Sequence, residues 1–197
     1  MKKMNITKRM SECGALAIVR EENLNRACEI AEGCIKGGIT VIEMSYTLNN
    51  AGEIIQGLNK KYGETLCHAI LHGAQFIIAP NYNEGVAKIC NRYQIPYVPG
   101  CTSLTEAVDA LSLGATFIKA FPISDFYGPK LVKVFKTPIP DMPVLASGGI
   151  NIENLHIWLE NGVDVCGFGG LLTKGSVEDI AKNAKKIREI IKNIRKI

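Results

Sequence analysis

The chain has 197 residues, of which 47% are hydrophobic and 21% are charged. This ordinary balance and length predict one domain over residues 1–197 with its own core, and they argue against a disordered or fibrous chain. No apolar run is long enough to span a membrane, and the basic N-terminus is not followed by the apolar stretch of a secretory signal. We therefore expect a cytoplasmic protein with no membrane partner.

The net charge of +4 comes from residues 176–197, where seven Lys/Arg outnumber three Asp/Glu. These residues have the spacing of an amphipathic helix with cations near its C-terminal end. A solvated basic helix face explains the charge better than a nucleic-acid surface, and the aromatic residues show no stacking pattern. We expect no nucleic-acid partner.

Seven cysteines are scattered along the chain without a CxxC pair. This pattern favours free thiols in a reducing compartment, most of them buried as small hydrophobic side chains. His68 and His72 have a spacing that can hold zinc, but the glutamate of the zinc-protease pattern is absent and they lie far from the strand ends. We expect no metal.

Short apolar runs alternate with helical patterns along the chain. Strands are predicted at residues 15–20, 40–46, 75–80, 96–100, 115–122, 143–149 and 164–170. Helices are predicted at residues 24–36, 50–61, 64–72, 84–93, 104–113, 128–136, 152–161 and 177–195. Helix-capping residues are predicted at Asn23, Asn83, Ser103, Asn151 and Ser176. Repeated βα units of this size predict an α/β fold with a parallel sheet closed into a (β/α)8 barrel of the TIM type.

One strand is missing from this pattern, the third. The interval between Thr40 and Gln75 holds two helical patterns with no strand between them. Either a strand has been lost there, or a segment of the chain is missing from the sequence. Because an incomplete wall leaves backbone groups unpaired, we expect helix 64–72 to pack outside the wall after a wide or strained connection near residues 62–65.

A lysine lies in the middle of the apolar strand 115–122. Side chains alternate along a strand, so Lys119 shares one face with Phe117 and Phe121. Inside an apolar barrel, the pKa of Lys119 should be lowered, and the free amine can attack a carbonyl to form a Schiff base. The alternative is a structural lysine in a buried salt bridge.

Two further charged residues lie near the C-terminal ends of strands, where such barrels build their active sites. Glu43 points inward and can act as a general acid and base; the alternative is a structural ion pair with Lys119. Arg20 suits a substrate carboxylate or phosphate; the alternative is a surface arginine paired with Glu21 or Glu22.

Glycine turns follow the last two predicted strands. The pairs Gly148–Gly149 and Gly169–Gly170 let backbone N–H groups approach an anion, and this is the usual phosphate position of such barrels. The alternative is that these glycines only reverse the chain. Pro99, at another strand end, is interpreted as part of a rigid turn that shapes the floor of the pocket.

Six blocks, in chain order, resemble the 2-keto-3-deoxy-6-phosphogluconate / 2-keto-4-hydroxyglutarate aldolase family: GGITVIEMSYT, GAQFIIAP, PYVPGCTSLTEA, GATFIKAFP, SGGIN and GFGGLLTKG. The resemblance covers residues 14–175. It implies a class I aldolase on a (β/α)8 barrel, usually a homotrimer, with no metal and no cofactor. The family's residues fall on Lys119 (Schiff base), Glu43 (catalytic carboxylate), Arg20 (substrate anion), and Gly148, Gly149, Gly169 and Gly170 (phosphate).

The sequence departs from the family in three places. The Gly-Ala-Gly-Thr strand that usually precedes the helix at ETLCHAILHG is absent, and it is the third strand missing above. Thr47 stands where many members have arginine, and Gly170 stands where serine is common. We assign substrate contacts to Arg20, Thr47, Pro99 and Phe121.

The predicted function is reversible aldol cleavage of 2-keto-3-deoxy-6-phosphogluconate, 4-hydroxy-2-oxoglutarate or both to pyruvate and an aldehyde. Lys119 would supply the electrophile as an iminium, so that no cofactor is needed. The alternatives are a phosphosugar isomerase or epimerase on the same barrel, and an inactive barrel that only binds or assembles.

Overall fold

A computed structural model describes residues 2–62, 74–122 and 126–196 of the chain. The strands are β1 (Ala15–Val19), β2 (Ile42–Met44), β3 (Ile77–Ile78), β4 (Tyr97–Val98), β5 (Gly100–Cys101), β6 (Ile118–Ala120), β7 (Val144–Ser147) and β8 (Val165–Phe168). The helices are α1 (Lys2–Cys13), α2 (Leu24–Lys36), α3 (Ala51–Tyr62), α4 (Glu84–Arg92), α5 (Leu104–Ser112), α6 (Lys130–Lys136), α7 (Leu155–Glu160), α8 (Gly170–Thr173) and α9 (Val177–Arg195).

All strand pairs are parallel, and the strands form one curled wall. Six strands pair in the order β2-β1-β8-β7-β6-β5, and β3 pairs with β4. Pro99 separates β4 from β5, and two hydrogen bonds carry the wall across this point: Gly100 N donates to the carbonyl oxygen of Ala79 at 2.9 Å, and Lys119 N donates to that of Pro99 at 2.8 Å. The predicted TIM-type α/β barrel is confirmed.

The described strands leave the wall unpaired between β2 and β3. Within the described residues, β2 pairs only with β1, and β3 pairs only with β4. No described strand lies between β2 and β3, which fits the predicted loss of the third strand. The helix predicted at 64–72 and the connection expected near residues 62–65 fall in 63–73, outside the described residues except for Tyr62.

The predicted helices agree well with the structure where their caps are strong. Helices α2 and α9 have the predicted bounds, and the side chains of Asn23, Asn83, Ser103 and Ser176 accept hydrogen bonds at their N-termini. Helix α7 begins later than predicted, at Leu155. Asn151 still caps the turn that leads into it: its side chain accepts from the Asn154 N–H at 2.9 Å, and its carbonyl oxygen accepts from the Leu155 N–H at 3.0 Å.

Helix α1 was not predicted. It buries Ile6, Met10 and Cys13, which have helical spacing that is hidden among basic residues. Its C-terminal carbonyl groups accept hydrogen bonds from α9: Arg188 Nη1 donates to Glu12 at 3.0 Å, and Arg188 also bonds Cys13. Part of the basic face of α9 is therefore structural, because a guanidinium suits the negative end of a helix.

Six of the seven cysteines lie in the described residues, and all six are buried free thiols. Burial raises the pKa of Cys34, Cys101 and Cys166 to about 12 in each case. The predicted role of most cysteines as small hydrophobic side chains agrees with this burial. In the described part of the chain, no helix is both long enough and apolar enough to cross a membrane.

Helices α2 and α9 make the most extensive helix–helix contact in the described structure. Gly33 allows this contact, because a Cβ atom there would lie 2.7 Å from Cβ of Ile180 and 2.8 Å from the carbonyl oxygen of Val177. Such distances require the helices to separate. Gly33 is therefore a packing residue of this contact.

We predict that Gly33→Ala lowers the free energy of unfolding by about 1–3 kcal/mol, as overpacking does. Gly85→Ala is the matched control, since Gly85 is exposed in α4 and the nearest atom to an added Cβ is Asn83 Oδ1 at 3.2 Å. The control should be neutral or slightly stabilising. Equal denaturant midpoints for both variants would contradict this account of the α2–α9 contact.

Candidate active site

A cavity of about 1270 Å³ opens at the C-terminal ends of the strands. Nine of the ten residues assigned to the site from the sequence line it: Arg20, Glu43, Thr47, Lys119, Phe121, Gly148, Gly149, Gly169 and Gly170. Pro99 is buried and does not belong to the lining. The carbonyl oxygen of Pro99 accepts the hydrogen bond from Lys119 N. Pro99 is therefore part of the strand wall and not of the pocket surface.

Lys119 lies at the centre of β6, paired in register with Gly100 on one side and Leu145 on the other. It is only 8% exposed, and its Nζ lies 4.8 Å from the ring centroid of Phe121. Burial lowers the pKa of Lys119; the Glu43 carboxylate raises it in part, and Arg20 lowers it further. The side chain is therefore held as an amine more readily than an exposed lysine is.

Glu43 lies on β2, paired in register with Ile18 of β1. Its Oε2 atom is buried and has no hydrogen-bond partner among the described residues. Burial raises the pKa of Glu43, while the charges of Lys119 and Arg20 lower it in part.

No salt bridge joins Glu43 to Lys119 among those formed by the described residues. The structural ion pair that stood as the alternative for both residues is therefore not formed. A buried oxygen without a partner is costly in a folded protein. The carboxyl group is thus left available to a bound molecule.

Arg20 and Thr47 lie at the rim of the cavity, and both are exposed. In the described structure Arg20 takes part in no salt bridge, so the alternative of pairing with Glu21 or Glu22 is not observed. Thr47 shares a hydrogen bond of 3.0 Å with the hydroxyl of Ser45. The rim therefore presents an uncompensated cation beside two hydroxyl groups.

The two glycine turns differ in what they require of the backbone. Gly148 and Gly149 have φ of +97° and +66°, a region that favours glycine, so chain reversal alone accounts for them. Gly169 has φ of −90°, and a Cβ atom on it would meet no atom within 4 Å. The space beside Gly169 is therefore open, so a bound molecule has room to approach its backbone.

The N–H groups of both turns are free to bind an anion. Among the described backbone hydrogen bonds, none uses the N–H groups of Gly148, Gly149, Ile150, Gly169 and Gly170. All five of these residues line the cavity. Unpaired N–H groups at one end of a cavity form an anion site when a ligand is bound.

Sequence reasoning missed Lys174, which also lines the cavity. Its Cε lies 3.4 Å from the position of a Cβ atom on Gly170, so the chain runs across the glycine turn. Its own N–H donates to the carbonyl oxygen of Gly170 at 3.1 Å. The signal was present in the block GFGGLLTKG, where a lysine follows the glycines by four residues, the length of the short helix α8.

The chain is similar to known proteins over most of its length. The family model "Aldolase: KDPG and KHG aldolase" matches residues 6–190. The 2-dehydro-3-deoxy-6-phosphogalactonate aldolase of Escherichia coli is 39% identical over 57% of this chain and 56% of its own length, so that match spans a little over half of the relative. The 2-dehydro-3-deoxy-phosphogluconate aldolase of Treponema pallidum is 27% identical over 71% of this chain and 72% of its own.

Solved structures show the same fold. The structure described as "Native KDPGal structure" superimposes with a TM-score of 0.83 at 27% identity and covers 93% of this chain and 96% of that one. The similarity extends over nearly all of both chains. The described part of the chain therefore has the fold of that structure over nearly all of its length.

We predict that the reactivity of Lys119 depends on pH in a way that its neighbours control. Because burial lowers the pKa of Lys119, trapping of pyruvate by borohydride should rise through an apparent pKa below about 10. Glu43→Gln removes the carboxylate charge that raises the pKa of Lys119, so the pH profile of this variant should move to lower pH. Arg20→Gln removes the positive charge that lowers the pKa of Lys119, so the pH profile of this variant should move to higher pH.

The measurement is the trapping rate as a function of pH, scaled to the plateau of each variant. Lys174→Met serves as the control at the far rim, because Lys174 is not among the groups that shift the pKa of Lys119. An apparent pKa of 10 or above in the wild type, or shifts in the reverse directions, would show that Lys119 is not governed by this burial and these two charges.

Proposed function

The chain belongs to the KDPG and KHG aldolase family, whose members are lyases, and we propose that it cleaves a 2-keto-4-hydroxy acid reversibly to pyruvate and an aldehyde through a Schiff base on Lys119. The observation that carries this proposal is a buried lysine amine facing a cavity that also contains an unpaired carboxyl group. Neither group is neutralised by a protein partner in the described structure.

The first half of the reaction forms the electrophile. The unprotonated amine of Lys119 adds to the C2 carbonyl of the substrate, and loss of water from the carbinolamine gives an iminium. The lowered pKa of Lys119 supports this step, because only the amine is a nucleophile. The substrate C2 then carries the positive charge that the second half of the reaction requires.

The second half breaks the C3–C4 bond. Glu43 accepts the proton of the C4 hydroxyl, the C4 oxygen becomes the carbonyl of the departing aldehyde, and the electron pair of the broken bond passes to the iminium to give an enamine. Protonation of the enamine at C3 and hydrolysis of the resulting imine release pyruvate and restore the amine. The raised pKa of Glu43 suits both proton transfers.

The cavity supports an anionic substrate with a phosphate at the end distant from the keto acid. Arg20 and Lys174 line it without a carboxylate partner among the described residues, and the glycine turns add free N–H groups. We propose that Arg20 and Thr47 contact the substrate beside Phe121, and that the phosphate of a 2-keto-3-deoxy-6-phospho sugar acid lies against Gly148, Gly149, Gly169 and Gly170. 4-Hydroxy-2-oxoglutarate is the unphosphorylated candidate.

Further features stay proposals that rest on the family resemblance and the sequence. These are the homotrimer, the cytoplasmic location and the single domain over residues 1–197. Free thiols support the reducing compartment.

We predict that pyruvate and borohydride add one reduced pyruvyl group to the wild-type protein and that peptide mapping places it on Lys119. Lys119→Met keeps a similar volume and removes the amine, so labelling and cleavage should be lost together while the fold remains. Glu43→Gln should lower turnover by roughly 10²–10⁴-fold, because proton transfer fails, yet it should still be labelled.

Lys186→Met is the control, since Lys186 is exposed on α9 away from the cavity. It should cleave substrate and be labelled as the wild type is. If the wild type cleaves substrate without an adduct on Lys119, the Schiff-base mechanism is wrong. If the wild type neither cleaves nor labels, the chain is not an active aldolase.

We predict that inorganic phosphate competes with a phosphorylated substrate and competes much less with 4-hydroxy-2-oxoglutarate. Lys174→Met should raise the inhibition constant of phosphate about tenfold, equivalent to about 1.4 kcal/mol, because a cation beside the turn is removed. Initial rates at several phosphate concentrations give both numbers. Equal inhibition with both substrates, or none with either, would argue that the glycines serve only as turns.

A further inference from the structure

Asn154 is hydrogen-bonded back toward the glycine turn. Its Nδ2 donates to the carbonyl oxygen of Gly149 at 2.8 Å. Its Oδ1 accepts from the N–H of Asn151 at 2.8 Å, and its own N–H donates to Oδ1 of Asn151 at 2.9 Å. The chemistry of the two backbone partners fixes which end of the amide is which, since one is a donor and the other an acceptor.

Asn154 immediately precedes α7, and its side chain makes two kinds of bond. Asn151 and Asn154 each accept the other's N–H with a side-chain oxygen, which is the reciprocal pattern of a capping box. This pairing uses Oδ1 of Asn154 and leaves Nδ2 for the carbonyl oxygen of Gly149. The bond to Gly149 is therefore additional to capping, and it acts on the glycine turn.

The tether to Gly149 fixes the direction of the next N–H group. In a trans peptide, the carbonyl group of one residue and the N–H of the next point in opposite directions. The Gly149 carbonyl points to Asn154, so the Ile150 N–H points away from it. Gly149 and Ile150 line the cavity whereas Asn154 does not, so Asn154 lies behind the turn and the N–H faces the cavity side.

The turn needs such a tether because its own backbone does not choose one orientation. Gly148 and Gly149 are adjacent glycines, and glycine adopts positive and negative φ about equally well. Rotation of the Gly149–Ile150 peptide by half a turn would present a carbonyl oxygen to the cavity in place of an N–H. A carbonyl oxygen there would repel an anion that the N–H attracts.

We propose that Asn154 is a positioning residue for the anion-binding end of the cavity, holding the Gly149–Ile150 peptide with its N–H toward a phosphate group. The inference rests on the proposed phosphate position and adds to it the residue that keeps the donor in place. Asn154 itself touches neither the phosphate nor the reacting atoms.

The test compares Asn154→Ala with Asn151→Ala. The first removes the donor to Gly149 together with the acceptor of the Asn151 N–H. The second removes the acceptor of the Asn154 N–H, the other half of the same reciprocal pair, and leaves the bond to Gly149. Asn154→Ala should weaken binding of inorganic phosphate by about tenfold in calorimetric titration, while Asn151→Ala should change it by less than about threefold.

Kinetics give the second measurement. Asn154→Ala should raise KM for the phosphorylated substrate by a similar factor with kcat unchanged, because binding common to ground and transition states is lost. KM for 4-hydroxy-2-oxoglutarate and pyruvate trapping on Lys119 should stay near their wild-type values. Should Asn154→Ala fail to fold, Asn154→Ser keeps a favourable N-cap residue with a shorter side chain and should give the same selective loss.

The outcomes separate this inference from the proposed function. Equal losses in the two alanine variants, or equal changes in KM for both substrates, would assign Asn154 to turn stability alone. A wild type that binds no phosphate would overturn the inference while pyruvate trapping still supports the aldolase. A wild type that binds phosphate but neither cleaves nor traps would overturn the aldolase, and phosphate titration of the variants would still decide the role of Asn154.

Discussion

The candidate active site depends on the burial of one amine. A lysine on an interior strand of a barrel has to give up most of its hydration, and the charged form loses more by this than the neutral form. Lys119 is in that position because β6 lies between two strands of the wall, and its Nζ is covered by the ring of Phe121. The Glu43 carboxyl group offsets the effect only in part, since the two groups form no salt bridge.

The wall itself determines where these groups can be. Parallel strands place their C-terminal ends at one rim, so residues distant in sequence meet there without any local signal connecting them. The continuity of that rim at Pro99 relies on hydrogen bonds from Gly100 and Lys119. Consequently, the backbone of Lys119 is part of the wall, and the sheet holds the base of its side chain in place.

Sequence reasoning reached the features that depend on alternation and strand position. Lys119 and Glu43 were assigned to the interior from the two-residue period of strands, and both line the cavity. It failed where hydrogen bonding between nonlocal groups decides the structure. Asn151 caps the chain as predicted, but the local pattern did not show that Asn154 also bonds back to Gly149.

Other misses have the same origin. Helix α1 is held by packing and by Arg188 of α9. Because Arg188 is distant in sequence, the residues of α1 alone do not indicate this contact. Lys174 reaches the cavity because the four-residue helix α8 turns it back over Gly170, and a helix of that length leaves no periodic pattern. Pro99 was predicted to shape the floor of the pocket and to contact the substrate. The structure places it in the wall, where it is buried and does not line the cavity.

The burial of the cysteines has a chemical consequence for the reaction proposed for this barrel. Aldehydes combine reversibly with thiolates to form hemithioacetals, so a protein that releases an aldehyde at its own surface exposes its thiols to a reactive product. Cys34, Cys101 and Cys166 have pKa values of about 12 and are shielded from solvent, so near neutral pH they carry almost no thiolate. Packing of these cysteines in the core thus also keeps their thiols unreactive toward an aldehyde product of the proposed reaction.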